Sequence, residues 1–168
     1  MTHWTPAATS QLWTAGWDLF SEPLDFANSK VTWQVTSGRL VITYVLIGAT
    51  PSKLYQVGVH LFCDQGDVPG KQFGRFPTSG PCATITRQGV TASIKQAEFA
   101  VVLTDAKGSG TVRVSVGAPL SGSYAVEFDA RNGAGCGVAG GGGNNANTCD
   151  VDFQSPGPFG TTTTIVIP

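Results

Sequence analysis

Apolar and polar positions alternate with a period of two along most of this chain, the pattern of strands that bury one face. The clearest case spans residues 31–47, where VTWQVT and RLVITYVLI flank Ser37-Gly38, a two-residue turn. A tight turn there sets Thr36 opposite Arg39, Val35 opposite Leu40, Gln34 opposite Val41, Trp33 opposite Ile42 and Val31 opposite Tyr44. One face then collects Val31, Trp33 and Val35 with Leu40, Ile42 and Tyr44, while Thr32 and Thr43 meet on the other. A slip of one residue would mix the faces, so the register is strongly specified.

The same alternation predicts a strand over Leu54–Cys63. Tyr55, Val57, Val59, Leu61 and Cys63 share one face, and Gln56, Gly58, His60 and Phe62 share the other. Residues 64–82 are rich in Gly and Pro and read as a loop. Short strands are expected at Thr84–Arg87 and Val90–Ile94, followed by the alternating set Phe99, Val101 and Leu103. The turn Asp105–Gly110 leads into Val112, Val114 and Val116, predicting a second hairpin with Phe99 opposite Val116 and Leu103 opposite Val112. Tyr124, Val126 and Phe128 form one more inward face, and the tail TTTTIVIP is strongly β-prone. Eight to ten strands at this spacing predict an all-β fold, an antiparallel β-sandwich or jelly roll, in a single domain over residues 1–168.

Composition strengthens the all-β reading. The 168 residues include nineteen Thr and seventeen Val but only three Glu and nine Leu, so the straight-chain helix formers are scarce. With 22 Gly and 10 Pro, the turns between short strands are well supplied. A formal net charge of −1 offers no global attraction to nucleic acid or an anionic membrane. No run reaches the ~18 apolar residues of a membrane-spanning helix. Residues 1–10 carry neither the basic start nor the apolar stretch of a signal peptide, as expected of a mature domain behind an added Met1 or of a leaderless protein.

The four cysteines, Cys63, Cys82, Cys136 and Cys149, contain no C-x-x-C pair, and the histidines are only His3 and His60. That spacing favours two disulfides over a zinc site, and with them an oxidising, secreted location. Of the three connectivities, Cys63–Cys82 with Cys136–Cys149 is preferred, because each pair brackets a turn-rich loop.

Two segments, GATPSKLYQVGV (Gly48–Val59) and APLSGSYAVEF (Ala118–Phe128), place a Pro shortly before a Tyr that opens an alternating strand. This resembles the tyrosine corner of immunoglobulin- and fibronectin-like sandwiches, in which a Tyr hydroxyl ties a loop to the sheet. The run from residue 38 to about 130 also resembles β-sandwich modules of secreted bacterial proteins that have no assigned role. The resemblance implies a fold and a compartment and carries no catalytic residues across.

Chemistry-bearing residues are sparse. A Ser-His-Asp constellation would rest on His60, with no nucleophile elbow in the sequence, and His60 reads as a solvent-side or second-sheet strand residue. No catalytic residue is assigned, and no enzyme activity is expected. Asp64 with Asp67 and Asp150 with Asp152 put hard oxygen ligands beside cysteines, a donor type that suits Ca²⁺, although Asp is also common in turns. Gly140–Gly143 lacks the Lys-Ser/Thr of a phosphate loop.

The aromatics are more suggestive. All four tryptophans fall within the first 33 residues, and Trp13 and Trp17 share a face if Gln11–Phe20 is extended. Such rings can stack on sugars, with Trp4, Phe73 and Phe76 as further contributors, whereas Trp33 belongs to the core. The expected function is therefore a secreted, non-catalytic binding module for a glycan or cell-surface ligand, with no nucleic-acid partner. The alternative is a structural subunit of a filament or surface layer, self-associating through sheet edges by way of the C-terminal strand, residues 161–167.

Overall fold

A computed structural model describes residues 1–6, 22–37, 39–62, 83–87, 90–116, 122–132, 151–154 and 163–168. These form eleven strands and no helix: β1 (Thr2–His3), β2 (Thr5–Pro6), β3 (Lys30–Thr36), β4 (Arg39–Leu46), β5 (Leu54–Phe62), β6 (Ala83–Arg87), β7 (Val90–Leu103), β8 (Gly110–Val116), β9 (Gly122–Asn132), β10 (Val151–Gln154) and β11 (Thr163–Ile167). They build two antiparallel sheets. The smaller has the order β1-β3-β4-β8, and the larger β2-β10-β9-β5-β7-β6 with β11 also on β9.

The β3–β4 hairpin has the register expected from its alternation, from Thr36 opposite Arg39 through to Val31 opposite Tyr44. Ser37 takes the left-handed φ of 50° that a primed two-residue turn requires. Val31, Leu40, Ile42, Tyr44 and Leu46 are buried on one face, against Tyr55, Val57, Val59 and Leu61 of β5 and Tyr124, Val126 and Phe128 of β9 in the same core cluster. Trp33 stacks on Phe128 with ring centroids 5.7 Å apart, and Tyr44 meets the same ring edge-on at 6.0 Å. Burying each such side chain contributes roughly 1.5–3 kcal/mol before ordering costs.

The second hairpin does not form. β8 pairs with β4, setting Val112 opposite Tyr44, Val114 opposite Ile42 and Val116 opposite Leu40, while β7 belongs to the other sheet. The three valines of β8 extend the apolar row of β4, which a hairpin with β7 would leave incomplete. The turn Asp105–Gly110 is thus a crossover between sheets, as is the loop from Ile47 to Lys53. The two crossovers are bonded to each other: Ala49 N–H to Gly108 C=O at 3.0 Å, Ser52 N–H to Asp105 C=O at 3.1 Å and Thr104 N–H to Lys53 C=O at 3.0 Å. Gly108, at φ +76°, lies so close that an added Cβ would stand 2.0 Å from the Ala49 carbonyl oxygen.

Other expectations are refined. The two short runs expected at Val90–Ile94 and Phe99–Leu103 are one continuous 14-residue strand, β7. On it Val102 is buried, whereas Val101 and Leu103 are 42% and 63% exposed. The tail pairs with β9 of its own chain, Thr163 opposite Val126 through Ile167 opposite Gly122.

Candidate functional site

The structure brings together two groupings of polar side chains, and it distributes the sequence-derived candidates differently. Trp4 sits where the chain passes from β1 in the smaller sheet to β2 in the larger. It is 1% exposed, its indole N–H donates to the Val45 carbonyl at 3.1 Å, and its ring stacks on Tyr44 at 6.2 Å. A buried indole has no face to offer a sugar, so Trp4 is a core residue and not part of an aromatic platform. Trp13, Trp17, Phe73, Phe76, Asp64, Asp67, Asp150 and all four cysteines, Cys63, Cys82, Cys136 and Cys149, lie outside the described residues. Asp152 falls on β10, two places from Gln154. Among the described residues, no group of three His, Cys, Asp or Glu side chains could hold a metal ion.

The first grouping lies on the face of β5 and β9 turned away from the smaller sheet. Register sets Gln56 opposite Arg131, Gly58 opposite Asp129 and His60 opposite Glu127. Every side chain in this set is buried: His60 and Glu127 are 0% exposed, Asp129 1%, Gln56 4% and Arg131 5%. His60 is therefore not on the solvent side. Arg131 Nε donates to Asp129 Oδ2 at 2.7 Å, and a second guanidinium nitrogen reaches the same oxygen at 2.6 Å. Burial pushes the Glu127 carboxyl well above the usual carboxylate range, and neighbouring Asp129 adds to that effect. All of these groups are buried, and the ion pair of Arg131 with Asp129 lies within β9. Period-two alternation in YAVEFDARN is the signal that sets Glu127, Asp129 and Arg131 on one face and Tyr124, Val126 and Phe128 on the other. Only β5–β9 pairing shows that His60 and Gln56 stand opposite them.

The second grouping is accessible. On the face of β3, β4 and β8 turned away from the core, an open groove of ≈ 340 Å³ is lined by Thr32, Trp33, Gln34, Val41, Thr43 and Arg113. The register that turns Val31, Ile42 and Val114 toward the core sends Thr32, Thr43 and Arg113 outward in a row across three strands. Gln34, opposite Val41, follows in the next row, and Trp33 closes the groove from below while its ring stays on Phe128. Gln34 and Arg113 are exposed, and Thr32, Val41 and Thr43 half-buried. These groups supply hydroxyl, amide and guanidinium hydrogen bonds from rigid strand positions. No triad, metal cluster or cofactor cradle accompanies them among the described residues. The arrangement can hold a polar ligand.

A third polar feature is structural. Tyr55 at the start of β5 accepts a hydrogen bond from the Thr50 amide at 3.1 Å and donates one to Glu22 Oε2 at 2.9 Å. Thr50 Oγ1 and Lys53 Nζ also bond Glu22. Burial alone would raise the Glu22 carboxyl, but the hydrogen bonds from Lys53, Thr50 and Tyr55 outweigh it and hold the group below its ordinary value. The Tyr55 hydroxyl thus ties the loop after β4 to the larger sheet. No protein-family model matches the chain, and no curated protein matches it.

Proposed function

We propose that this chain is a secreted β-sandwich of immunoglobulin-like character that acts as a non-catalytic binding module, with a carbohydrate chain held on the outer face of its smaller sheet. The observation that carries the reading is the groove lined by Thr32, Trp33, Gln34, Val41, Thr43 and Arg113. Sugars present many hydroxyls, and a row of polar side chains on rigid strands answers them with hydrogen bonds at low entropic cost. The shared core of the two sheets around Phe128 supports the sandwich. The even, separated set of four cysteines supports the secreted location. Trp13 and Trp17 remain stacking candidates for the same ligand class. The alternative, an assembling subunit that donates its terminal strand, is less well supported, because β11 is already used within its own sheet.

Tryptophan fluorescence titrated with a panel of soluble neutral and acidic polysaccharides, alongside light scattering, tests the proposal. The expected result is a saturable change on a monomer, lost in Arg113→Ala and Gln34→Ala variants that keep the wild-type melting temperature. Loss confined to Trp13→Ala and Trp17→Ala would move the site to the N-terminal aromatics. A flat response to the whole panel, with mass rising with concentration, would replace the binding module by an assembling protein.

A further inference from the structure

The outer face of the smaller sheet has a charge pattern that the chain as a whole does not. Lys30, Arg39 and Arg113 all project from it, with Thr32, Thr43 and Ser115 between them, and no Asp or Glu occupies any outward position of β3, β4 or β8. The chain overall carries more acidic residues, 11, than Lys and Arg, 10. Arg39 and Arg113 are exposed and Lys30 is half-buried. None of the three is held in an ion pair with a carboxylate among the described residues, whereas Lys53 and Arg131 elsewhere are.

We infer that the ligand of this face is an acidic polysaccharide, one that carries carboxylate or sulfate groups at intervals along its length. The inference rests on the carbohydrate-binding reading above and narrows it. Spacing distinguishes a polysaccharide from other polyanions. With strands ~4.8 Å apart and same-face residues ~6.7 Å apart along a strand, the Cα atoms of Lys30 and Arg113 stand about 12 Å apart. Those of Arg113 and Arg39 stand about 14 Å apart on the same spacings. A nucleic acid strand presents a charge every ~3.4 Å, far denser than this array can answer. The outward positions also carry no aromatic ring on which bases could stack, since Trp33 is engaged with Phe128. A glycan with one anionic group per repeat matches sparse cations separated by hydroxyl and amide side chains. Arg113, flanked by Thr43 and lining the groove, is placed to take a carboxylate or sulfate with two parallel N–H donors.

The test is calorimetric titration of the intact chain with three probes: hyaluronan, which carries a single carboxylate per disaccharide, its fully methyl-esterified form and a single-stranded oligonucleotide. κ-Carrageenan, with a single sulfate per disaccharide, serves as a fourth, to separate sulfate from carboxylate recognition. Hyaluronan or κ-carrageenan is expected to bind at least tenfold more tightly than the esterified polymer, and more weakly as salt rises. Arg113→Gln should weaken that binding about tenfold. Lys30→Gln and Arg39→Gln should each weaken it by roughly two- to fivefold. All three positions are at the surface, and an unchanged melting temperature certifies the fold. Equal affinity for the charged and esterified polymers, or no loss in the triple variant, overturns the acidic ligand and leaves the glycan module standing. Binding of the oligonucleotide above either acidic glycan also overturns it. Failure of every polysaccharide, neutral ones included, overturns both readings together.

Discussion

The hydroxyl of Tyr55 accepts a hydrogen bond from the backbone amide of Thr50, five residues earlier, at 3.1 Å. This contact lies where the chain crosses from the smaller sheet to the larger. The same hydroxyl reaches Glu22, so one phenol ties the crossover to a segment near the start of the molecule. Thr104, on the reciprocal crossover, donates to the Thr50 carbonyl at 2.7 Å and accepts from the Lys53 amide at 3.0 Å. Both passages between sheets are therefore anchored at one end of the molecule by one connected set of bonds.

Tyr55→Phe removes that acceptor and leaves the Thr50 amide and Glu22 each short of a partner. We expect a loss of about 1–3 kcal/mol in urea denaturation. Burial, with Glu22 adding to it, raises the phenol to about 12 despite the Thr50 contacts. A folded value above the unfolded value of about 10 means that the neutral phenol is favoured in the folded state. Stability from this group is thus complete below pH ~10 and falls as pH rises toward 12. Absorbance titration at alkaline pH should show one late-ionising tyrosine fewer in the variant.

Glu127 gives a pH dependence in a milder range. Its folded value is raised by burial and by Asp129, so the folded state holds a proton that the unfolded chain has released. That contribution is complete below the unfolded value of about 4.3 and declines as pH rises toward the folded value. Glu127→Gln keeps the shape and cannot ionise. Its melting temperature at pH 7–8 should exceed that of wild type, and the gap should close near pH 4. A variant less stable than wild type at pH 7.5 would show that the charged carboxylate is the native form.

Gly108 is constrained by conformation and by space at once. Gly108→Ala places a methyl group 2.0 Å from the Ala49 carbonyl oxygen at a φ of +76°. We expect at least ~1–3 kcal/mol of destabilisation, against a change within about 0.5 kcal/mol for the exposed neighbour Lys107→Ala. Equal effects in chemical denaturation would mean that the two crossovers are not packed together as described.

Trp4 separates a core role from a ligand-binding one. Trp4→Ala should cost about 3–5 kcal/mol, the range for emptying a large aromatic site. In whatever fraction of the variant remains folded, glycan affinity should be unchanged. Lost affinity with wild-type stability would return Trp4 to the binding surface.

The β3–β4 hairpin was legible residue by residue because every contribution to its register is local. A two-residue turn and strict alternation leave one pairing that keeps Val31, Ile42 and Tyr44 together. The β7–β8 hairpin was misread for the complementary reason. Alternation shows that Val112, Val114 and Val116 share a face, but it does not show which strand lies beside them. Their place beside Tyr44, Ile42 and Leu40 depends on β4 having a free edge and on the two crossovers locking at Gly108 and Ala49. The buried row of Gln56, His60, Glu127, Asp129 and Arg131 was half legible. Its β9 members declared their common face, yet their burial ran against the expectation for charged strand residues.

The amino-acid sequence alone determined the all-β class, the β3–β4 hairpin with its register, the alternating faces of β5, β8 and β9 and the tight turn at Ser37, because these follow from period-two patterning and local backbone preference. Tertiary structure alone decided which strands are neighbours, that Trp4 and His60 are interior, and that Lys30, Arg39 and Arg113 share an outward face free of acidic residues. Those outcomes arise from pairings between residues far apart in the chain, and no local energy term distinguishes one such pairing from its competitors.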